Sequence, residues 1–270
     1  YPHYETNLTG QTYVAWCASL PNHTVSNTAG TITSETKAND FMSAVSYTGT
    51  GANATVGHGL SKAPELIIYK NRDVVTNWYV ECAELASNEE LVLSGTQAAY
   101  SPSTVINNTA TSSVLNLFGT NNTNGSTNNM IAYAFTSVPK QCKVGSYIGT
   151  GAAGNVVNVG FEPAWVMIKR TDVVNQWLIL DNKRSPSNPK DDGLFADSSG
   201  AEWINSGLST DFTTDGFTIT GASNIINGSG GEYIYLAIAQ DLSQRTLLPH
   251  GQAFTPTFAC KEDNVNLDIS

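Results

Sequence analysis

The chain has 270 residues, of which 40% are hydrophobic and only 13% charged, so packed cores are possible while much of the polar surface must come from Asn, Thr, Ser and Gly. Its 23 acidic against 13 basic residues give a formal net charge of −10 with no Lys/Arg run, which argues against nucleic acid as a partner. No apolar run approaches the ~20 residues of a membrane-spanning helix, so no membrane insertion is expected.

Few segments carry the pattern of an amphipathic helix, and an all-β chain is predicted. The opening YPHYETNL has neither an initiator Met nor the regions of a signal peptide, and reads as the start of a mature or excised piece. YVAWCASLP from Tyr13 resembles MIAYAFTSVP from Met130. It is expected to be the last strand of a preceding unit, either completing the first sandwich or left from an upstream domain. Next comes SYTGTG at residue 46, then strands predicted over 66–70, 78–83, 91–94, 114–118 and 130–135. The apolar run LIIYK is the signature of a strand covered on both faces.

A hundred residues on, the pattern repeats. SYIGTG stands at residue 146, and GFEPAWVMIKRTDVVNQWLIL from Gly160 aligns with GLSKAPELIIYKNRDVVTNWYV from Gly59. The alignment places Lys70 on Lys169, Asp73 on Asp172 and Trp78 on Trp177. Strands are predicted over 165–169, 177–181, 217–220 and 233–239. NNTNGSTNN and NGSGG immediately precede the last strand of each copy and are expected to be hairpin loops. A duplication of this length is domain-sized, which predicts two tandem β-sandwich modules of jelly-roll or lectin-like type. The modules span 1–139 and 140–242, with an extended tail over 243–270 that docks on a neighbour.

Neither SY-GTG copy has the following helix N-terminus or the Lys-Ser/Thr of a phosphate-cradling loop, so both read as tight turns at strand ends. None of His3, His23, His58 and His250 sits in a nucleophile context, and His58 reads as a loop histidine. Glycoside hydrolysis needs two carboxylates facing each other across a cleft. Asp181, Asp191, Asp192, Asp197 and Glu202 instead gather in a Pro/Asn/Ser-rich stretch, where acids are solvated or cap turns. They also lack the spacing of a calcium loop. No catalytic residue, metal or cofactor is therefore assigned.

Cys17, Cys82, Cys142 and Cys260 form no CxxC pair, and Cys17 and Cys82 are expected to be buried thiols. Trp78, Trp177 and Trp165 are expected in cores. Trp203 in AEWINSG has no evident counterpart and is the candidate for an exposed glycan or partner contact, with Asp191 and Asp192 nearby. The sequons at Asn7, Asn22, Asn53, Asn107, Asn121, Asn124 and Asn227 read as a consequence of an Asn/Thr-rich composition.

Taken in order, VSNTAGTITSETKAN, VSYTGTGANATVGHGLSKAPELIIYKNR, VGSYIGTG, GFEPAWVMIKRTD and LDNKRSPSNP resemble a family of bacteriophage virion proteins, usually assigned to tails or fibres. The resemblance implies a β-rich structural protein located in the virion and supplies no catalytic residue. Its implied partners are other virion proteins and further copies of itself, with a host surface glycan as a further ligand; closed symmetry is the default for such parts, and a trimer would suit a fibre. The alternatives are a carbohydrate-binding host-receptor adhesin and a capsid-surface decoration protein.

Overall fold

The computed structural model describes residues 10, 12–101 and 110–239, together with the backbone of 259–260. It is all-β, built from short antiparallel strands, with one 3-10 turn at Ser206–Leu208. After β1 (Trp16–Cys17) the first unit contains β2 (Val25–Asn27), β3 (Ser34–Ala38), β4 (Met42–Thr48), β5 (Ala54–Gly57), β6 (Leu66–Asn71), β7 (Tyr79–Cys82), β8 (Leu91–Val92), β9 (Val114–Leu117) and β10 (Asn129–Phe135). The second contains β11 (Cys142–Ile148), β12 (Asn155–Asn158), β13 (Pro163–Arg170), β14 (Trp177–Asp181), β15 (Asp192–Phe195), β16 (Trp203–Ile204), β17 (Thr210–Thr213), β18 (Gly216–Ile219) and β19 (Glu232–Ala239). A last strand, β20, is Ala259–Cys260.

The duplication extends to topology. Unit 1 has a large sheet in the order β2-β3-β4-β10-β6-β7-β8 and a small sheet β5-β9. Unit 2 has a large sheet β11-β19-β13-β14-β15-β16 and a small sheet β12-β18-β17. The run β4-β10-β6-β7-β8 therefore matches β11-β19-β13-β14-β15 strand for strand.

Side-chain alternation explains how the layers stack. On β6, Ile67 and Tyr69 point into a core shared with Val56, Leu115 and Leu117 of the small sheet. Leu66 and Ile68 point the other way, into a core that also holds Trp165, Met167, Trp177 and Ile179 of unit 2. The two large sheets thus pack back to back with the small sheets outside them. This is why LIIYK is apolar at successive positions, and why Trp177–Asp181 is buried throughout.

Three expectations are corrected. The Asn/Gly-rich loops are not hairpin loops: β9 belongs to the small sheet while β10 pairs with β4 and β6 in the large one, so 118–128 crosses between layers. The same holds for the connection from β18 to β19. The strand near Tyr13 does not complete the first sandwich; only Trp16–Cys17 is extended, it pairs with Ala259–Cys260, and the place between β4 and β6 is held by β10. Cys82 is buried, but Cys17 is exposed, because β1 lies outside both large sheets. Of the proposed tail, everything except the strand at Ala259–Cys260 lies outside the described residues.

Both SY-GTG copies end a strand and lock onto the crossover that follows. In unit 1 the amide of Thr50 donates to Asn124 Oδ1 (2.9 Å), and Asn124 Nδ2 donates to the Ala52 carbonyl (2.6 Å). In unit 2 Thr150 donates to Asn227 Oδ1 (2.8 Å), and Asn227 Nδ2 to the Ala152 carbonyl (2.8 Å). A Cβ on Gly49 or Gly149 would lie 2.1 or 2.2 Å from the carbonyl oxygen of Gly125 or Gly228, so the approach admits glycine alone. Tyr47 and Tyr147 donate their hydroxyls to the Thr123 and Ile226 carbonyls just before these asparagines.

Candidate functional site

The acidic cluster of unit 2 is organised around one cation. Arg184 is buried, and its Nε donates to Asp181 Oδ2 (2.7 Å). One terminal nitrogen reaches Glu202 Oε1 (2.5 Å) and the Asp192 carbonyl (2.7 Å), while the other reaches the Ile179 carbonyl (3.1 Å). Burial alone would raise the Asp181 carboxyl, but the amide of Arg184 and the Arg184 charge together hold it below its usual range. Trp16 closes the cluster, donating its indole N–H to Asp181 Oδ2 (3.2 Å) and stacking 5.8 Å from the guanidinium.

Each candidate residue now has a place. Asp192 lies on β15 and accepts from the Ser185 hydroxyl (2.7 Å), and the Asp191 carbonyl accepts from the Asn205 amide (3.2 Å). Asp197 Oδ1 accepts from the Trp177 amide (2.7 Å). Trp203 lies on the edge strand β16, 42% exposed, with its ring 5.8 Å from that of Phe195. Trp203 is not in an insertion without a counterpart. It pairs with Gly193 as Tyr100 bridges to Glu90, so Tyr100 holds its place in unit 1. Extra residues between β14 and β15 shift the alignment and hide this correspondence.

The same register equates two further segments. Val92 lies opposite Tyr79, as Phe195 lies opposite Leu178. Trp78 donates its amide to Ser94 Oγ (3.2 Å), as Trp177 does to Asp197. Residues 92–99 and 195–202 are therefore equivalent tongues. The unit 1 tongue lies across the back of unit 2. There Trp177 donates its indole N–H to the Val92 carbonyl (2.9 Å), and Lys169 Nζ donates to the Thr96 carbonyl (3.1 Å). Asn175 donates its amide to the same Thr96 carbonyl (2.8 Å), and Ala99 donates to the Thr171 carbonyl (2.8 Å). Lys169 and Trp177 are fully buried beneath it, and burial pushes the Lys169 ammonium down to about 8, with Asp197 drawing it partly back.

The equivalent place on unit 1 is an open groove of about 520 Å³, whose lining includes Lys70, Arg72, Val75, Trp78, Ile131 and Tyr133. Trp78 stacks on Tyr133 with centroids 6.5 Å apart. Expected in a core like Trp177, it packs against the shared core but stays half-buried in the groove wall. Lys70 Nζ donates to the Thr76 carbonyl (2.7 Å), as Lys169 does to that of Asn175.

A family model described as a domain of unknown function, DUF7483, matches residues 2–241. The chain belongs to the DUF7483 family. No curated protein and no solved structure matches it. The DUF7483 match takes in both units, both grooves and both tongues, and ends two residues beyond β19.

Within the DUF7483 region sequence reasoning missed three features. Asn124 and Asn227, read as sequons, are fully buried structural locks; the signal was N-G-S recurring at the same place before the last strand of each unit. Glu81 and Glu90 are buried in unit 1, Glu81 facing Tyr69 and Glu90 accepting from the Tyr100 hydroxyl (2.5 Å). Burial raises both carboxyls. His58, read as a loop histidine, is buried after β5. Its Nδ1 accepts from the Leu60 amide (3.1 Å) and its Nε2 lies 3.1 Å from the Thr111 carbonyl, which fixes the Nε2–H tautomer.

Proposed function

We propose that the chain is a structural component of a bacteriophage particle, of tail or fibre type, acting in the virion without catalysis and alongside further copies and other particle proteins. The observation that carries this reading is the back-to-back core. Leu66, Ile68, Val80 and Phe135 of unit 1 share one buried cluster with Trp165, Met167, Trp177 and Leu236 of unit 2, so the two sandwiches form a rigid block. Such a block suits load-bearing assembly. The motifs resembling phage virion proteins supply the setting, and the engagement of Asp181, Asp192, Asp197 and Glu202 in internal bonds supports a non-enzymatic role. Mass spectrometry and a density map of purified particles test it: the chain should be a stoichiometric component, and the map would separate tail, fibre and capsid-surface positions. Its absence from particles would overturn the reading.

A second reading, a carbohydrate-binding adhesin, is favoured by Trp203, whose ring is exposed at a sheet edge beside Phe195 and near Glu202. A flat aromatic face flanked by acceptors suits a sugar ring. Saturable binding on a glycan array that disappears in Trp203→Ala would support it, and unchanged binding would remove Trp203 from the site.

A further inference from the structure

Because the chain is duplicated, one groove can be compared in two settings. On unit 2 it is covered by the tongue of unit 1 through four hydrogen bonds: from Trp177 to Val92, from Lys169 and Asn175 to Thr96, and from Ala99 to Thr171. On the tongue side all four use backbone atoms. The groove therefore holds the tongue's polar groups through carbonyls and one amide, while Leu93 and Ala99 of the tongue pack against the shared core.

The unit 1 groove presents the matching set. Lys70, Trp78, the amide of Thr76 and the carbonyl of Arg72 stand at the positions of Lys169, Trp177, Asn175 and Thr171. No residue of unit 2 lines this groove. The second tongue, 195–202, is meanwhile exposed from Ser198 onward and runs into Trp203 and Ile204, which are 42% and 70% exposed. Charge favours a meeting of the two. Lys70 and Arg72 outweigh Asp73 in the groove lining, and the tongue carries two carboxylates, Asp197 bonded to the Trp177 amide and Glu202 paired with Arg184 within its own unit.

We propose that the unit 1 groove is the docking site for the 195–202 tongue of a second copy of this chain, joining copies head to tail. In the complex the Trp78 indole N–H donates to the Phe195 carbonyl of the second copy. Lys70 and the Thr76 amide donate to its Ser199 carbonyl, and its Glu202 amide donates to the Arg72 carbonyl. Only the tongue needs to enter, because the remaining back faces are already covered within each chain. The contact is heterologous: each copy offers one groove and one tongue, so association continues into a ring or a filament and does not stop at a two-fold dimer. This inference rests on the internal repeat and stands whether or not the assembly is a virion.

Two blocked variants of the full chain test it in sedimentation and mass photometry. Ile131→Arg fills and charges the groove, and Ser199→Lys places a cation on the tongue facing Lys70 and Arg72. The wild-type chain should grow past dimer as concentration rises, and added salt should weaken the growth. Each variant alone should associate at least about tenfold more weakly. An equimolar mixture should form a one-to-one dimer, since the intact tongue of Ile131→Arg meets the intact groove of Ser199→Lys. That rescue also shows that both variants are folded. A wild-type chain that stays monomeric, variants that associate as the wild type does, or a mixture without dimer would each overturn the proposal.

Discussion

The indole of Trp177 in unit 2 donates to the carbonyl of Val92 in unit 1 at 2.9 Å, and this bond lies beneath a tongue that hides the whole ring. Trp78, the same residue one repeat earlier, is half-buried in an open groove. Equivalent sequence is thus fully enclosed in one unit and half-exposed at the margin of the same core in the other. Trp177→Phe should cost about 1–3 kcal/mol through the lost donor, and Trp177→Ala about 3–5 kcal/mol through the cavity. Trp78→Phe should cost under about 1 kcal/mol. Because the units share a core, urea unfolding should remain one transition with an unchanged slope for Trp177→Phe, only its midpoint moving. Two resolved transitions would contradict the shared core.

Asn124 and Asn227 each hold a GTG turn against the crossover that follows, spending both amide groups on it. Replacement by Ala leaves buried backbone groups unpaired, so each variant should lose about 1–3 kcal/mol. Asp should not rescue, because its second oxygen cannot donate to the Ala52 or Ala152 carbonyl. The two sites lie in different units, and the double variant should lose the sum of the single losses within about 0.5 kcal/mol. Chemical denaturation of the four proteins checks both statements.

How much of this was legible depends on where each residue's information lies. LIIYK announced a doubly covered strand because burial on both faces leaves no room for alternation, and WLILD, predicted simply as a strand, is buried in the same way. The repeat announced two sandwiches. Strands such as Ser34–Ala38 and Ala54–Gly57 escaped because SETKA and ATVG are short and too polar to be told from turns. The crossover loops passed for hairpins because turn composition is alike whether the next strand joins the same sheet or the opposite one. Trp203 lost its counterpart to a length difference between two loops. Arg184 could not be found from spacing, since the groups it gathers are Asp181, Ile179, Asp192 and Glu202, brought together only by strand pairing.

Removal of that arginine should be costly. Arg184→Ala leaves Asp181 buried beside Trp16 with its main cation gone, and a loss of about 3–5 kcal/mol is expected. Lys should recover little, because a point charge cannot reach Asp181, Glu202 and two carbonyls together. The pH dependence follows from Asp181, whose carboxyl Arg184 holds below its ordinary value of 3.8. A lowered native pKa gives stability that is present above the unfolded value and is lost as pH falls through the native one. Acid titration of stability should therefore be steeper in wild type than in Arg184→Ala; equal slopes would detach Asp181 from the arginine.

Glu81 predicts the opposite slope. Burial lifts its carboxyl well above the ordinary 4.5; contact with Tyr69 opposes the rise and the charge on Glu90 adds to it. The native state therefore holds a proton that the unfolded chain releases. Stability from this group is complete below pH 4.5 and is lost as pH rises toward the raised native value, at about 1.4 kcal/mol per pH unit within that window. Glu81→Gln keeps the shape and removes the charge. It should be close to wild type in mild acid and progressively more stable than wild type as pH rises. Denaturant midpoints measured for both proteins across that range check the sign. A gap that stays constant with pH would show that Glu81 is ionised in the fold and balanced by another group.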